Sequence, residues 1–120
     1  MVTQNEFGRH KILGGVLDRI GDGIFLVDAE SGAYVEANDQ ACGLLGYSRD
    51  EILVRHVWEI STSFADAEAW SARKADLTEK VRLINTDFRR SDGSLLPVEV
   101  RVYPVHDGER LLHVSIFRDM

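Results

Sequence analysis

Apolar residues at Ile12, Leu13, Val16, Leu17 and Ile20 recur every three or four positions, which predicts an amphipathic helix at the start of the chain. Gly14 and Gly15 weaken that helix, so it depends on docking its stripe against another surface. Gly21-Asp22-Gly23 ends it, and the period changes. Ile24-Phe25-Leu26-Val27 is a short continuous apolar run, which predicts a strand covered on both faces. Turn chemistry over residues 28–32 then leads into a returning strand over residues 34–37.

Helical signals fill the middle of the chain. Asn38 or Asp39 is placed to cap a short helix carrying Ala41, Leu44 and Leu45, and Gly46 stops it. Ser48-Arg49-Asp50-Glu51 has capping-box spacing, in which hydroxyl and carboxylate satisfy backbone N–H groups reciprocally. Ser63 with Asp66 predicts a longer helix over residues 64–80, with Trp70, Leu77 and Val81 on one side.

Three strands finish the chain. Residues 81–90 meet residues 95–103 through Ser91-Asp92-Gly93-Ser94, whose Asp-Gly centre predicts a type I′ turn. Val98, Val100 and Val102 alternate with Glu99, Arg101 and Tyr103, so this strand has one buried face. Pro97 lies near its start, where a missing donor is tolerated. Asp107-Gly108 marks the next turn, and residues 111–117 form the last strand. Residues 1–20 thus form a helical cap and residues 21–120 a mixed α+β core domain.

Composition narrows the function classes. The 120 residues, 44% hydrophobic and 28% charged, suit one water-soluble domain with one core. No run approaches the roughly 20 apolar residues that span a bilayer, and the polar first ten residues lack a signal-peptide core. A lone Cys42 makes neither an internal disulfide nor a cysteine metal cluster, and it fits a reducing cytoplasm, the expected location. A net charge of −6 opposes phosphate binding, and Arg89-Arg90 is answered by Asp87 and Asp92. Neither a nucleic acid nor a membrane is an expected partner. No Gly-x-Ser-x-Gly elbow, phosphate loop or His-Glu-x-x-His helix is present. His10, His56, His106 and His113 lack metal-ligand spacing. The chain by itself is therefore not expected to be an enzyme or to bind a metal.

The order of elements and their punctuation resemble the PAS family of sensory domains. One block of matching residues is Asp22-Gly23-Ile24-Phe25-Leu26-Val27-Asp28, with Val35-Glu36-Ala37-Asn38 and Leu44-Leu45-Gly46-Tyr47-Ser48-Arg49-Asp50-Glu51-Ile52. The other is Phe88-Arg89-Arg90-Ser91-Asp92-Gly93-Ser94, then Pro97-Val98-Glu99-Val100 and Phe117-Arg118-Asp119-Met120. The resemblance implies a five-stranded antiparallel sheet, helices on one face and a pocket between them. It also implies a module of a histidine kinase, cyclic-dinucleotide enzyme or transcription regulator, with an output domain joined beyond Met120.

The family's cofactors can be tested on single residues. Its light-sensing members carry a cysteine in an Asn-Cys-Arg-Phe-Leu-Gln segment. Here residues 55–60 read Arg-His-Val-Trp-Glu-Ile, with Val57 at the thiol's place and Cys42 a helix too early. Phe88, Val98 and Phe117 replace the amides that hold the flavin edge, leaving its polar groups unsatisfied. Flavin is rejected. Oxygen-sensing members take a haem histidine from the long middle helix, which has none here. His113 shares the parity of Ser115 and Phe117, yet a single strand histidine is more often structural. No cofactor is expected.

By alternation, Phe25, Val27, Ile84, Phe88, Val98, Val100, Ser115 and Phe117 point towards the helices, where Val57, Trp58 and Trp70 approach them. These residues could line a ligand pocket or simply fill a core, and the bulk of Phe25, Phe88 and Phe117 favours filling. A ligand would be small and largely apolar, with Ser115 as its main hydrogen-bonding group. On the opposite face Ile24, Leu26, Leu112, Val114 and Ile116 are apolar too, so something covers them. The stripe from Ile12 to Ile20 is the expected cover, docked within one chain or organising a homodimer. The reading is a cytoplasmic sensor or signal-relay domain of a larger signalling protein. The alternative is a ligand-free dimerisation module.

Overall fold

The computed structural model describes residues 22–73 and 81–120. The predicted first helix, the division between residues 20 and 21 and the far part of the long middle helix with Leu77 lie outside them. In chain order come β1 (Gly23–Asp28), β2 (Tyr34–Ala37), α1 (Asp39–Leu45), α2 (Arg49–Ile52), α3 (Val57–Ile60) and α4 (Ala67–Arg73). β3 (Arg82–Arg89), β4 (Leu95–Asp107) and β5 (Arg110–Asp119) complete the chain.

The five strands form one antiparallel sheet in the order β2-β1-β5-β4-β3. This is the expected α+β architecture. Its first and last strands are neighbours, so Gly23 pairs with Phe117 and both ends of the core meet at one place. The main core joins Phe25, Val98, Val100 and Phe117 from the sheet to Ala41, Leu45, Ile52, Val57, Ile60 and Trp70 from the helices. Gly23 is required there, because a Cβ would stand 2.3 Å from the Phe117 ring.

Capping follows the sequence signals with one exception. Asn38 is 8% exposed and ties three backbone groups together. Its Oδ1 accepts from Ile24 N and Ala41 N, each at 2.9 Å, and its Nδ2 donates to Asp22 O at 3.0 Å. One side chain therefore caps α1 and anchors the start of β1. Gly46 ends α1 with a φ of 79°, and the Ser48–Glu51 capping box opens α2. The exception is α4. Asp66, not Ser63, accepts from Ala69 N at 2.9 Å, so the helix starts at Ala67. Ser63 instead meets Thr86 on β3, Oγ to Oγ1 at 2.6 Å. Val81 belongs to no helix face; it precedes β3 and is 63% exposed.

Two turns differ from expectation in informative ways. The β3–β4 turn is not type I′, since Gly93 has a φ of 88° while Asp92, like every described non-glycine residue, has none above zero. Gly93 N donates to Arg90 O at 3.0 Å and Arg90 N to Ser94 O at 2.8 Å, so a tight turn is followed by one left-handed glycine. At the β4–β5 hairpin, Gly108 alone is left-handed and Asp107 pairs with Arg110, as in a type II′ turn. Pairing continues right up to that turn, which makes β4 four residues longer than predicted. Pro104 fits within it because β3 begins opposite Val102, so among the described residues no strand on that side needs its donor.

Candidate functional site

Between the sheet and α3–α4 lies a cavity of about 60 Å³. Strand pairing explains which sheet residues reach it. Phe25 stands opposite Ser115 and Val27 opposite His113; Ser115 stands opposite Val102, and Ile84 opposite Val100. These face the helices together with Thr86 and Phe88, while Val57, Phe64 and Trp70 close the other side. Trp70 is held by its indole N–H, which donates to Ala29 O at 3.1 Å, and it packs edge-on to Phe64 at 5.1 Å. Gly32 admits it: a Cβ there would lie 3.2 Å from the Trp70 ring and 2.8 Å from Trp58.

Of the eleven residues expected at a pocket, eight border this space: Phe25, Val27, Val57, Trp70, Ile84, Phe88, Val100 and Ser115. Val98 and Phe117 are buried but do not border it. The Phe117 ring lies 5.1 Å from Phe25 and 4.9 Å from Phe88, and this aromatic cluster closes that part of the core. Trp58 does not reach it either. Its ring stacks on His56 at 4.5 Å and covers the Gly32 turn from outside.

Sequence reasoning passed over several walls of the cavity. Thr86 and Val102 share the parity of Ile84 and Val100, a signal that could have found them. Tyr34 could not be found that way. Leu26 pairs with Glu36 but Val27 pairs with Tyr34, so Val35 is the extra residue of a β-bulge that breaks the alternation. Ser61 and Ser63 arrive from the segment after α3, where Ser61 bridges to Phe88.

The lining is uncharged. Among the described residues no Asp, Glu, Lys or Arg borders the cavity. Ser63 and Thr86 bond each other, and Ser63 N donates to Ser61 Oγ at 3.3 Å. Tyr34 is 4% exposed with its ring 4.5 Å from Phe25. Burial first, then nearby Tyr47 and Glu59, pushes its phenol far above the usual range, so the hydroxyl is a neutral donor at any ordinary pH. His113 is 2% exposed and meets the Trp70 ring edge-on at 6.0 Å. The space is several-fold below the roughly 300–1,000 Å³ of a typical ligand pocket.

The outer face of the sheet carries Ile24, Leu26, Leu112 and Val114, all buried, with Ile116 half-buried beside them. Next to them is a hollow of about 190 Å³ lined by Asp22, Glu99, Arg101, Tyr103, Ile116, Phe117 and Arg118. Two acids and two arginines balance there, and Arg118 meets Glu99 at 3.5 Å. Among the described residues no group of three His, Cys, Asp or Glu is placed to hold a metal ion.

The sequence matches the family described as PAS domain over residues 21–120. A search of curated proteins returned no match. Among solved structures, the PAS domain of an HTR-like protein from Haloarcula marismortui superposes with a TM-score of 0.79 at 28% identity, over 94% of this chain and 98% of that one. A domain of the sensory box sensor histidine kinase/response regulator from Geobacter sulfurreducens gives 0.76 at 27% identity, over 98% and 99%. A light-oxygen-voltage domain studied with a flavin analogue gives 0.68 at 18% identity, over 88% and 82%, a likeness of fold alone.

Proposed function

The chain belongs to the PAS domain family, and from that premise we propose that it is the input module of a larger signalling protein. The observation that carries this reading is the position of β5. His113 and Ser115 on β5 border the inner cavity, and Ile116 and Arg118 on the same strand border the outer hollow. A ligand that shifts β5 is felt on both faces and at the strand's end, where an output domain beyond Met120 would attach. Such coupling needs one element with two arrangements, biased by differential binding. The likeness to a sensor histidine kinase domain supports a two-component parent of bacterial type. The isolated module is non-catalytic, carries neither flavin nor haem, and works in the cytoplasm without touching a membrane or nucleic acid. No described helix is long and apolar enough to cross a membrane.

The second part of the proposal is a homodimer. Leu26, Leu112 and Val114 are apolar and buried on the outer face, and the stripe of Ile12, Leu13, Val16, Leu17 and Ile20 matches them in character. Two copies joined through this stripe would hold two output helices side by side. In sedimentation, Val16→Glu with Ile20→Glu should convert the dimer to a monomer. A monomeric unmutated chain at about 100 μM would remove the dimer.

Native mass spectrometry of the purified protein tests the sensing role, with a small bound molecule as the expected result. Visible absorbance bands of flavin or haem would sink the cofactor-free reading. The small size of the cavity favours one competing reading, a ligand-free dimerisation module. That reading gains if no molecule travels with the protein and none can be bound.

A further inference from the structure

The aromatic walls of the inner cavity are not equally fixed. Phe25 and Phe88 lie 6.0 Å apart, pack against Phe117 at 5.1 and 4.9 Å, and stand on paired strands. Trp70 is tied through its indole N–H to Ala29 O at 3.1 Å. Phe64 differs. It comes from the loop joining α3 to α4, where Thr62, Ser63, Ala65 and Asp66 are all exposed, yet Phe64 itself is buried and lines the cavity. Its ring meets Trp70 edge-on at 5.1 Å, and the Arg73 guanidinium lies 5.7 Å from its centre. One apolar side chain thus turns inward from a loop whose neighbouring residues face water.

That loop is fastened to β3, which is an edge strand of the sheet. Thr62 N donates to Asp87 O at 3.0 Å, Ser61 forms an isolated bridge with Phe88, and Ser63 Oγ meets Thr86 Oγ1 at 2.6 Å. Thr62 and Ser63 are exposed, so water can take over their bonds when the loop lifts. Releasing residues 62–64 breaks no helix and no strand pairing within the sheet. Phe64 is therefore the lining aromatic that is withdrawn at least cost.

We propose that Phe64 is a movable plug: withdrawn with its loop it admits a ligand, and returned it sets the largest ligand the cavity holds. The proposal rests on the sensing role of the cavity and names the residue that determines its size specificity. At roughly 10–15 Å³ per water-sized position, 60 Å³ admits about four to six non-hydrogen atoms while Phe64 is in place. With no charged side chain among the described lining residues, the ligand is uncharged.

Benzene and indole serve as probes, since benzene matches the upper end of that range and indole exceeds it. Each is titrated into the full chain while methyl resonances of Val27, Val57 and Val100 are followed. Benzene should give saturable shifts with a Kd on the order of 1 mM, and indole should bind at least about tenfold more weakly. Phe64→Ala should reverse that preference, and Phe64→Leu, a milder change, should move it in the same direction. Amide exchange reads the motion without a ligand. The Thr62 N–H should exchange at least about tenfold faster than the buried Ile24 N–H. Thr86→Val, which removes the hydroxyl facing Ser63, should speed Thr62 exchange about fivefold further, and Thr86→Ser should restore the original rate.

The possible failures separate. Indole binding the unmutated chain as well as benzene, or a benzene preference unchanged in the Phe64 variants, overturns the plug but leaves a ligand cavity standing. Thr62 exchange that keeps pace with Ile24, or that ignores Thr86→Val, overturns its movement. No saturable shift from either probe up to about 10 mM, in the unmutated chain and in Phe64→Leu with native spectra, overturns both this inference and the sensing role it rests on.

Discussion

The two ends of the layer between helices and sheet are built differently. Around α1 and α2 the packing is closed: Ala41, Leu45 and Ile52 are fully buried, and Val98 and Phe117 belong to the same cluster. Leu45 O accepts from Ser91 N at 2.8 Å, which pins the end of α1 to the β3–β4 turn. Around α3 and α4 the same sheet face is lined by hydroxyls, a histidine and the half-buried Ile84, and space is left over. The closed end uses side chains whose only role is to exclude water. The open end spends some of that tightness on polar groups and a hollow, so stability and responsiveness are assigned to separate parts of one core.

The largest test of this division is Val100→Asp. Val100 is 4% exposed and borders the cavity, where no described lining residue is a Lys or Arg that could pair a new carboxylate. The change should destabilise by about 4 kcal/mol or more in chemical denaturation, enough to unfold a domain of ordinary stability. Glu99→Ala, on the opposite face, removes only a partly exposed contact with Arg118 and should stay within about 1 kcal/mol. Similar losses from the two changes would mean that the cavity admits water freely.

A truncation pair comes next. Leu45→Ala at the closed end should cost about 3 kcal/mol, because its surroundings cannot collapse onto the gap. Ile84→Ala at the open end should cost about 1 kcal/mol, since that side chain already borders space and solvent. Equal losses would erase the distinction between the two ends. Asn38→Ala lies between them, at about 2 kcal/mol, as it removes a helix cap and strands the buried Ile24 N–H together. If the loss matches that of a cap alone, the anchor to β1 is dispensable.

The smallest effect is pH-dependent and belongs to the rim of the open end. Burial pushes the Asp28 carboxyl up, but the Ser31 N–H, Arg110 guanidinium and Glu30 N–H together hold it below its ordinary 3.8. A folded-state value below the unfolded one stabilises the protein above pH 3.8, and the benefit is lost as pH falls through the lower folded value. Asp28→Asn should flatten this acid-side slope while changing neutral-pH stability by less than about 1 kcal/mol. A slope that survives the substitution would move its origin to another carboxylate.

Much of this fold is legible one residue at a time. Asn38, Gly46 and the Ser48–Glu51 box act through backbone groups within a few positions, so short spacing suffices to read them. The valines of β4 declare their face by strict alternation. Ser63 misled because two residues three apart both offered cap chemistry, and only the approach of Thr86 from β3 decided between them.

Alternation, capping and punctuation thus determine from the sequence alone which elements form, in what order, and which sheet residues turn towards the helices. Tertiary structure decides the rest. A bulge at Val35 turns Tyr34 into the core, a left-handed Gly93 shapes a turn that Asp-Gly alone does not specify, and Trp58 goes to His56 and not to the cavity. The cavity itself is what remains after side chains from five strands and two helices have packed. Such a remainder is a small difference between large volumes contributed by residues far apart in the chain, and no local pattern encodes it.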